Sequence, residues 1–263
     1  MTTPTFHAKS TTLQVVKGFN ANIDGKLVLI TDCTSGIAIE TARALATVNA
    51  HVVIIARDMN KGVEVVEDLK KITGNDKIEV MKLVLIEHSV IDLTYISIIL
   101  LTIDNGGVII CPYGKIVNGF ETQFRVNHLS YFLLATHLMP KLKVGTSSHV
   151  VIKKIYDKWL AYGQSIREYA LHPGGLTTNL ARYLPIEEQL AMEWFKEDGT
   201  STSVYAALAP ELDNHGEEYL KNCAISQGVN RDMKMFWSLG VHAIDMESAE
   251  RLWKLSEQLV AAK

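Results

Sequence analysis

Two side chains in this sequence combine reactivity with a position from which a fold could use it. Asp32 stands in Thr31-Asp32-Cys33-Thr34-Ser35-Gly36-Ile37-Ala38, between an apolar β-type run and a helical pattern. A carboxylate there can cap the helix by accepting its free N–H groups. Partly desolvated, it can also serve as a base. Tyr162 carries a phenol with a reference pKa of about 10, so near neutrality it donates a hydrogen bond and is a poor acid–base unless a nearby cation favours phenolate. One helical turn on from it stands Ile166, which is apolar, and Arg167, five positions on, points elsewhere. Tyr156, Trp159 and Tyr162 are spaced to share one helix face, which packing alone explains. Asp32 and Tyr162 together would suit non-redox rearrangement of a hydrophobic, oxygenated small molecule.

The remaining reactive residues exclude more than they support. The nine histidines show no metal-type pairing with carboxylates. His128, beside Asn127, could reach a cleft, and His172 suits packing at a sheet end. Cys33, Cys111 and Cys223 are too few and scattered for a disulfide framework and lack zinc spacing, so no metal is expected. A thiol at Cys33 would sit near a helix N-terminus, but Asp32 beside it opposes thiolate formation. The net charge of −3 lacks the basic excess of a nucleic-acid binder. With 48 % hydrophobic and 21 % charged residues the chain can bury a substantial core. Met1–Ser10 is polar and does not read as a secretory signal, and Leu93–Ile103 falls short of the ~20 residues of a membrane helix. The expectation is a reduced, cytoplasmic protein with one domain over 1–263, of which 1–24 is an N-terminal extension carrying a short helix.

The elements that must position these groups alternate between strand and helix. Ser10-Thr11-Thr12 caps a leading helix that ends near Gly18. Leu27–Ile30, His51–Ile55 and Ile78–Leu85 read as strands, separated by helices Gly36–Val48 and Lys61–Ile72. Continuous apolar strands alternating with amphipathic helices predict an α/β protein, a Rossmann-like doubly wound parallel sheet. The pattern then compresses. Twelve residues, Ile86–Ser97, precede the strand Ile98–Ile103, about the minimum for a parallel crossover. A long helix, Phe120–Leu142, ends at Pro140 and the lysines around it. Strand His149–Ile152, helix Tyr156–Ile166 and strand Tyr169–His172 follow, then helices around Ile186–Phe195, Thr202–Ala209 and Met246–Ala261.

Five blocks, in order, resemble the short-chain dehydrogenase/reductase family, and its retinol-dehydrogenase-like branch in particular. Thr31–Ala38 resembles the cofactor loop Thr-Gly-x-x-x-Gly-x-Gly. Asp104-Asn105-Gly106-Gly107 resembles Asn-Asn-Ala-Gly, and Arg125-Val126-Asn127-His128 the long-helix segment that carries a catalytic-site Asn. Tyr162-Gly163-Gln164-Ser165 resembles the catalytic tyrosine block. His172-Pro173-Gly174-Gly175 with Thr178 resembles the loop that closes over the nicotinamide. The resemblance implies catalytic roles for Tyr162 and Asn127. It implies contacts to a nicotinamide dinucleotide from Thr31, Ser35, Gly36, Ile37, Arg57, Asn105, Gly106, Pro173, Gly174 and Thr178. Arg57, where an acid would select NAD, resembles the NADP pattern, because a guanidinium pairs with a 2′-phosphate.

The same blocks depart from the family where function resides. The first loop glycine is Asp32 and the third is Ala38. A like charge about 4 Å from a phosphate costs ~1 kcal/mol in water and ~4 kcal/mol at an effective dielectric near 20, an affinity loss of roughly ten- to a thousandfold. Val84 replaces the Asp expected against adenine, Ile166 the catalytic lysine, and Lys153-Lys154-Ile155 the segment that should bring a serine; Ser147 and Ser148 lie before the strand. Tyr162 and Pro173 are only eleven positions apart, too few for a long helix and a strand. Three readings follow: a pseudoenzyme or small-molecule-binding scaffold with NADP binding weak or lost, an NADP-dependent alcohol or carbonyl oxidoreductase, and a cofactor-free isomerase or cyclase. Each would act at the strand ends, on a rim of Asp32, Asn105, Tyr162, His172 and Thr178 with Asn127 from the long helix. The apolar face of that helix, including Phe124, Leu129, Phe132 and Leu133, would be repacked by Tyr156–Ile166 in a monomer or used in an atypical dimer.

Overall fold

A computed structural model describes residues 5–83, 101–108, 110–116, 119–144, 148–152, 166–173, 183, 187, 200–216, 218–226 and 245–261. Helix α1 (Thr12–Phe19) starts in a capping box. The Thr11 hydroxyl accepts the Gln14 N–H, and the Gln14 side chain accepts the Thr11 N–H. Strand β1 (Leu27–Thr31) leads to α2 (Ile37–Ala46), β2 (His51–Ala56), α3 (Met59–Thr73) and β3 (Ile78–Lys82). Asp58 caps α3, and Gly74 ends it in the left-handed conformation at φ 70°. Beyond these come β4 (Leu101–Asp104) and the long helix α4. It is α-helical at Thr122–Phe124, π-helical at Arg125–Leu129 and α-helical again at Ser130–Val144. Strands β5 (Ser148–Ile152) and β6 (Ile166–His172), helix α5 (Ser201–Leu208), a 3₁₀ turn (Pro210–Asn214), strands β7 (Glu218–Lys221) and β8 (Ala224–Ile225), and helix α6 (Met246–Ala261) complete the described elements.

The strands form one sheet in the order β3-β2-β1-β4-β5-β6-β7-β8. Every pairing is parallel except β7 with β8. The expected doubly wound α/β sheet is what the chain forms. Its strand order reverses between β1 and β4; in open α/β sheets the ligand crevice lies beyond the carboxyl ends of the strands at such a point.

Alternation along β1 divides the core. Val28 and Ile30 face a cluster with Leu45, Leu69, Val204 and Ala206, while Leu27 and Leu29 face one with Tyr131, Phe132 and Leu138. Burial on both faces explains why these strands read as unbroken apolar runs. Trp253 of α6 packs edge-on against Phe132 at 4.8 Å. Cover for this part of the long helix therefore comes from the C-terminal helix; residues 156–165, expected there, lie outside the described residues.

Three expected boundaries change. Pro140 does not end α4, which continues to Val144. Pro140 is exposed, so water can satisfy the carbonyl that its missing N–H leaves unmatched. Strand β3 stops at Lys82, with Leu83 N–H still bonded to the Ala56 carbonyl. Most consequentially, Ile166 is not the end of a helix but the first residue of β6, in register with Ser148 of β5. Thirteen residues, 153–165, thus connect two parallel neighbours.

Candidate functional site

The crevice is closed at its base by hydrogen bonds between the ends of β1 and β4. Thr31 is fully buried at the end of β1. Its hydroxyl oxygen accepts the Asn105 N–H at 2.9 Å and lies 3.5 Å from the Gly106 nitrogen. The hydroxyl itself faces the Ile103 carbonyl at 3.4 Å and the Tyr131 hydroxyl at 3.3 Å. The Tyr131 O–H donates to the Gly106 carbonyl at 2.7 Å. Burial, together with the negative charges of Asp104 and Asp32, pushes the Tyr131 phenol well above its ordinary pKa. It stays protonated and serves as a fixed donor, not as an acid–base. Thr31, Asn105 and Gly106 therefore meet at this junction, with Tyr131 as an additional member.

Asp32 does not take the expected capping position. The N-cap of α2 is Gly36, at φ 65° and ψ −143°. Asp32 lies four residues earlier in the turn, half-buried, with a left-handed φ of 52°. That backbone turns its side chain toward β4, and a methyl placed on Gly106 would sit 2.7 Å from the Asp32 Cβ and 3.3 Å from its Cγ. Ser35 and Gly36 are exposed before the first turn of α2, which Ile37 opens half-buried. Arg57 is exposed immediately after β2, at the same edge of the sheet.

Asn127 sits in the π-helical turn of α4. Its Oδ1 accepts the Val108 N–H at 2.9 Å, and its Nδ2 donates to the Val108 carbonyl at 2.6 Å. The amide thus fastens the long helix to the segment after β4. Ser130 Oγ donates to the Arg125 carbonyl, which supports the wide turn. Arg125 is fully buried, and burial draws its guanidinium below the ordinary range. His128 does not reach the crevice. Its Nε2 is 2.7 Å from Ser256 Oγ of α6, and its ring stacks on Phe124 at 5.2 Å. Because Ser256 Oγ also donates to the Leu252 carbonyl, it accepts from His128 Nε2–H.

Pro173 follows β6 at the same edge. His172 before it is buried, and burial, then Lys221, lowers its imidazole pKa. Ser148 lies at the opposite edge, where its Oγ donates to the Leu142 carbonyl, so it cannot stand in for the absent serine. Tyr162, Gly174, Thr178 and Val84 lie outside the described residues. Sequence reasoning missed Tyr131 because a tyrosine on an apolar helix face reads as core. The signal was its position one turn after Asn127, which places both toward the ends of β4.

The profile of the short chain dehydrogenase family matches residues 26–155. That match runs from β1 into the segment joining β5 to β6 and stops there. Retinol dehydrogenase 12 of Mus musculus is 32 % identical to this chain, covering 92 % of it and 88 % of the relative. Among solved structures, an uncharacterized protein from Mycobacterium paratuberculosis superposes with a TM-score of 0.64 at 26 % identity, over 91 % of this chain and 94 % of its own. A short chain dehydrogenase from Escherichia coli CFT073, complexed with NADPH, shares the fold at a TM-score of 0.59 and 18 % identity, over 74 % of this chain and 95 % of its own.

Proposed function

On the premise that this chain belongs to the short-chain dehydrogenase family, we propose that it keeps the sheet as a small-molecule-binding scaffold and has lost the family's hydride transfer. The observation that carries this reading is the placement of Ile166 at the start of β6. Tyrosine acid–base chemistry near neutrality needs a nearby cation, which in the family is a lysine one helical turn on. Position 166 is neither cationic nor helical. The thirteen-residue connection is about the minimum for a parallel crossover.

The crevice also fits a dinucleotide poorly. Its base holds the Asp32 side chain against Gly106, with Asp104 buried at the end of β4, where a diphosphate would need glycine and positive potential. NADP binding is accordingly weak or lost. The ligand is a small, hydrophobic, oxygenated molecule held by few polar groups, as is usual for small-molecule sites. α6 against the long helix favours a monomer over the atypical dimer.

Asn127, with its amide engaged on Val108, acts as a positioning residue. The test is turnover of retinoid, steroid and aliphatic alcohols and their carbonyl counterparts with NADP or NADPH. No rate above background is expected. Robust turnover that disappears in Tyr162→Phe would replace this reading with a working oxidoreductase.

A further inference from the structure

Gly106 and Asp32 stand in an inverted relation. Asp32 holds a left-handed φ of 52°, the conformation glycine adopts without a Cβ penalty. Gly106 has no positive φ, so nothing in its backbone requires glycine. Space requires it. A Cβ there would lie 2.7 Å from the Asp32 Cβ and 2.6 Å from the Tyr131 hydroxyl, closer than real Cβ atoms come. The residue that could be glycine for conformation carries a carboxylate, and the residue that faces it has given up its side chain.

We propose that Asp32 and Gly106 are a matched pair that plugs the β1–β4 crevice with a carboxylate, making residue 32 the determinant that excludes diphosphate-bearing ligands. The two residues follow the ends of adjacent strands at the point where the strand order reverses, so their contact lies where ligands of open α/β sheets bind. The plug acts twice. Its volume occupies the approach to the backbone, and its charge repels a diphosphate. A ligand of this site therefore carries no diphosphate. This inference rests on the scaffold reading above and deepens it by naming the ligand class refused.

The test compares wild type, Asp32→Gly, Gly106→Ala, the double variant and Asp32→Asn by thermal melting and by calorimetric titration with NADPH. Gly106→Ala alone is expected to lower the melting midpoint by several degrees. In the Asp32→Gly background the same change should cost at most about half as much, since the Tyr131 contact is common to both and the difference reads the Asp32 contact. Asp32→Gly should bind NADPH at least about tenfold more tightly than wild type. Asp32→Asn, which keeps the volume and removes the charge, should gain less. If Gly106→Ala does not fold alone, recovery of folded protein in the double variant supports the pair, and the NADPH titrations of the two Asp32 variants decide the plug. Additive melting losses, or unchanged NADPH affinity in Asp32→Gly, overturn the proposal. Turnover by the wild type would instead defeat the scaffold reading, so the two failures are distinguishable.

Discussion

On one side of the β1–β4 junction each crossover carries a full helix; on the other, α4 joins β4 to β5 but only thirteen residues join β5 to β6. Helix α2 has ten residues and α3 fifteen, and both pack into a continuous core. Yet β5 and β6 pair over five residues, Ser148↔Ile166 to Ile152↔Ala170, as regularly as β1 and β2 do from Leu27↔His51 to Thr31↔Ile55. A parallel ladder needs only apolar strands and a minimal crossover. Family-type catalysis needs more, namely a helix long enough to hold a phenol and an ammonium on one face. The fold tolerates this contraction, and loss of the chemistry is the proposal it supports.

Substitutions graded by size sharpen or break this contrast. The largest effect is expected in the intact flank. Leu45 of α2 is fully buried, and Leu45→Ala should cost ~2–5 kcal/mol by chemical denaturation. A loss below ~1 kcal/mol would mean that this flank is not closely packed and that the contrast is false.

In the contracted flank the next largest effect is pH-dependent. Burial lowers His149 of β5 to a pKa of about 4, with Arg167 and Lys26 adding to the shift and Asp213 opposing it. The unfolded imidazole, near 6.5, then binds more protons than the folded one. Stability is full above that value and falls as pH drops toward about 4, by up to roughly 3 kcal/mol. His149→Gln should flatten denaturation profiles across this window. An unaltered slope would show that another group titrates there.

Gly62→Ala tests close packing in the intact flank again. Its Cβ would meet Val80 Cγ2 at 2.5 Å and Ala56 Cβ at 3.1 Å, so a loss of ~1–3 kcal/mol is expected. The smallest effect lies at the junction. Thr31→Val leaves the half-buried Asn105 N–H without its Thr31 acceptor and should cost ~1–2 kcal/mol. A neutral Thr31→Val would indicate that the two flanks are joined by strand pairing alone.

Strands, the cap of α1 and the doubly wound parallel class were legible because they rest on local signals. The Ser10-Thr11-Thr12 cluster, which supplies the Thr11 cap, and the apolar runs of β1 and β2 each act within a few residues. Helix α6 matched its predicted bounds, Met246–Ala261, for the same reason. Ile166 was misread because an apolar residue after an aromatic helical stripe fits a helix end as well as a strand start, and only pairing with Ser148 decides between them. Asp32 shows a second kind of limit. Its residue type promised a cap, whereas a positive φ and a glycine 74 positions away set its direction. His128 was likewise decided by a partner far along the chain, Ser256.

The central claim is that residue 166 belongs to a strand and not to a helix shared with Tyr162. NADPH-dependent reduction of a carbonyl panel by Ile166→Lys tests it most directly, because a lysine one helical turn after Tyr162 would rebuild the tyrosine–cation pair. The account predicts no turnover above the wild-type background. Turnover that appears in Ile166→Lys and vanishes when Tyr162→Phe is added would contradict it.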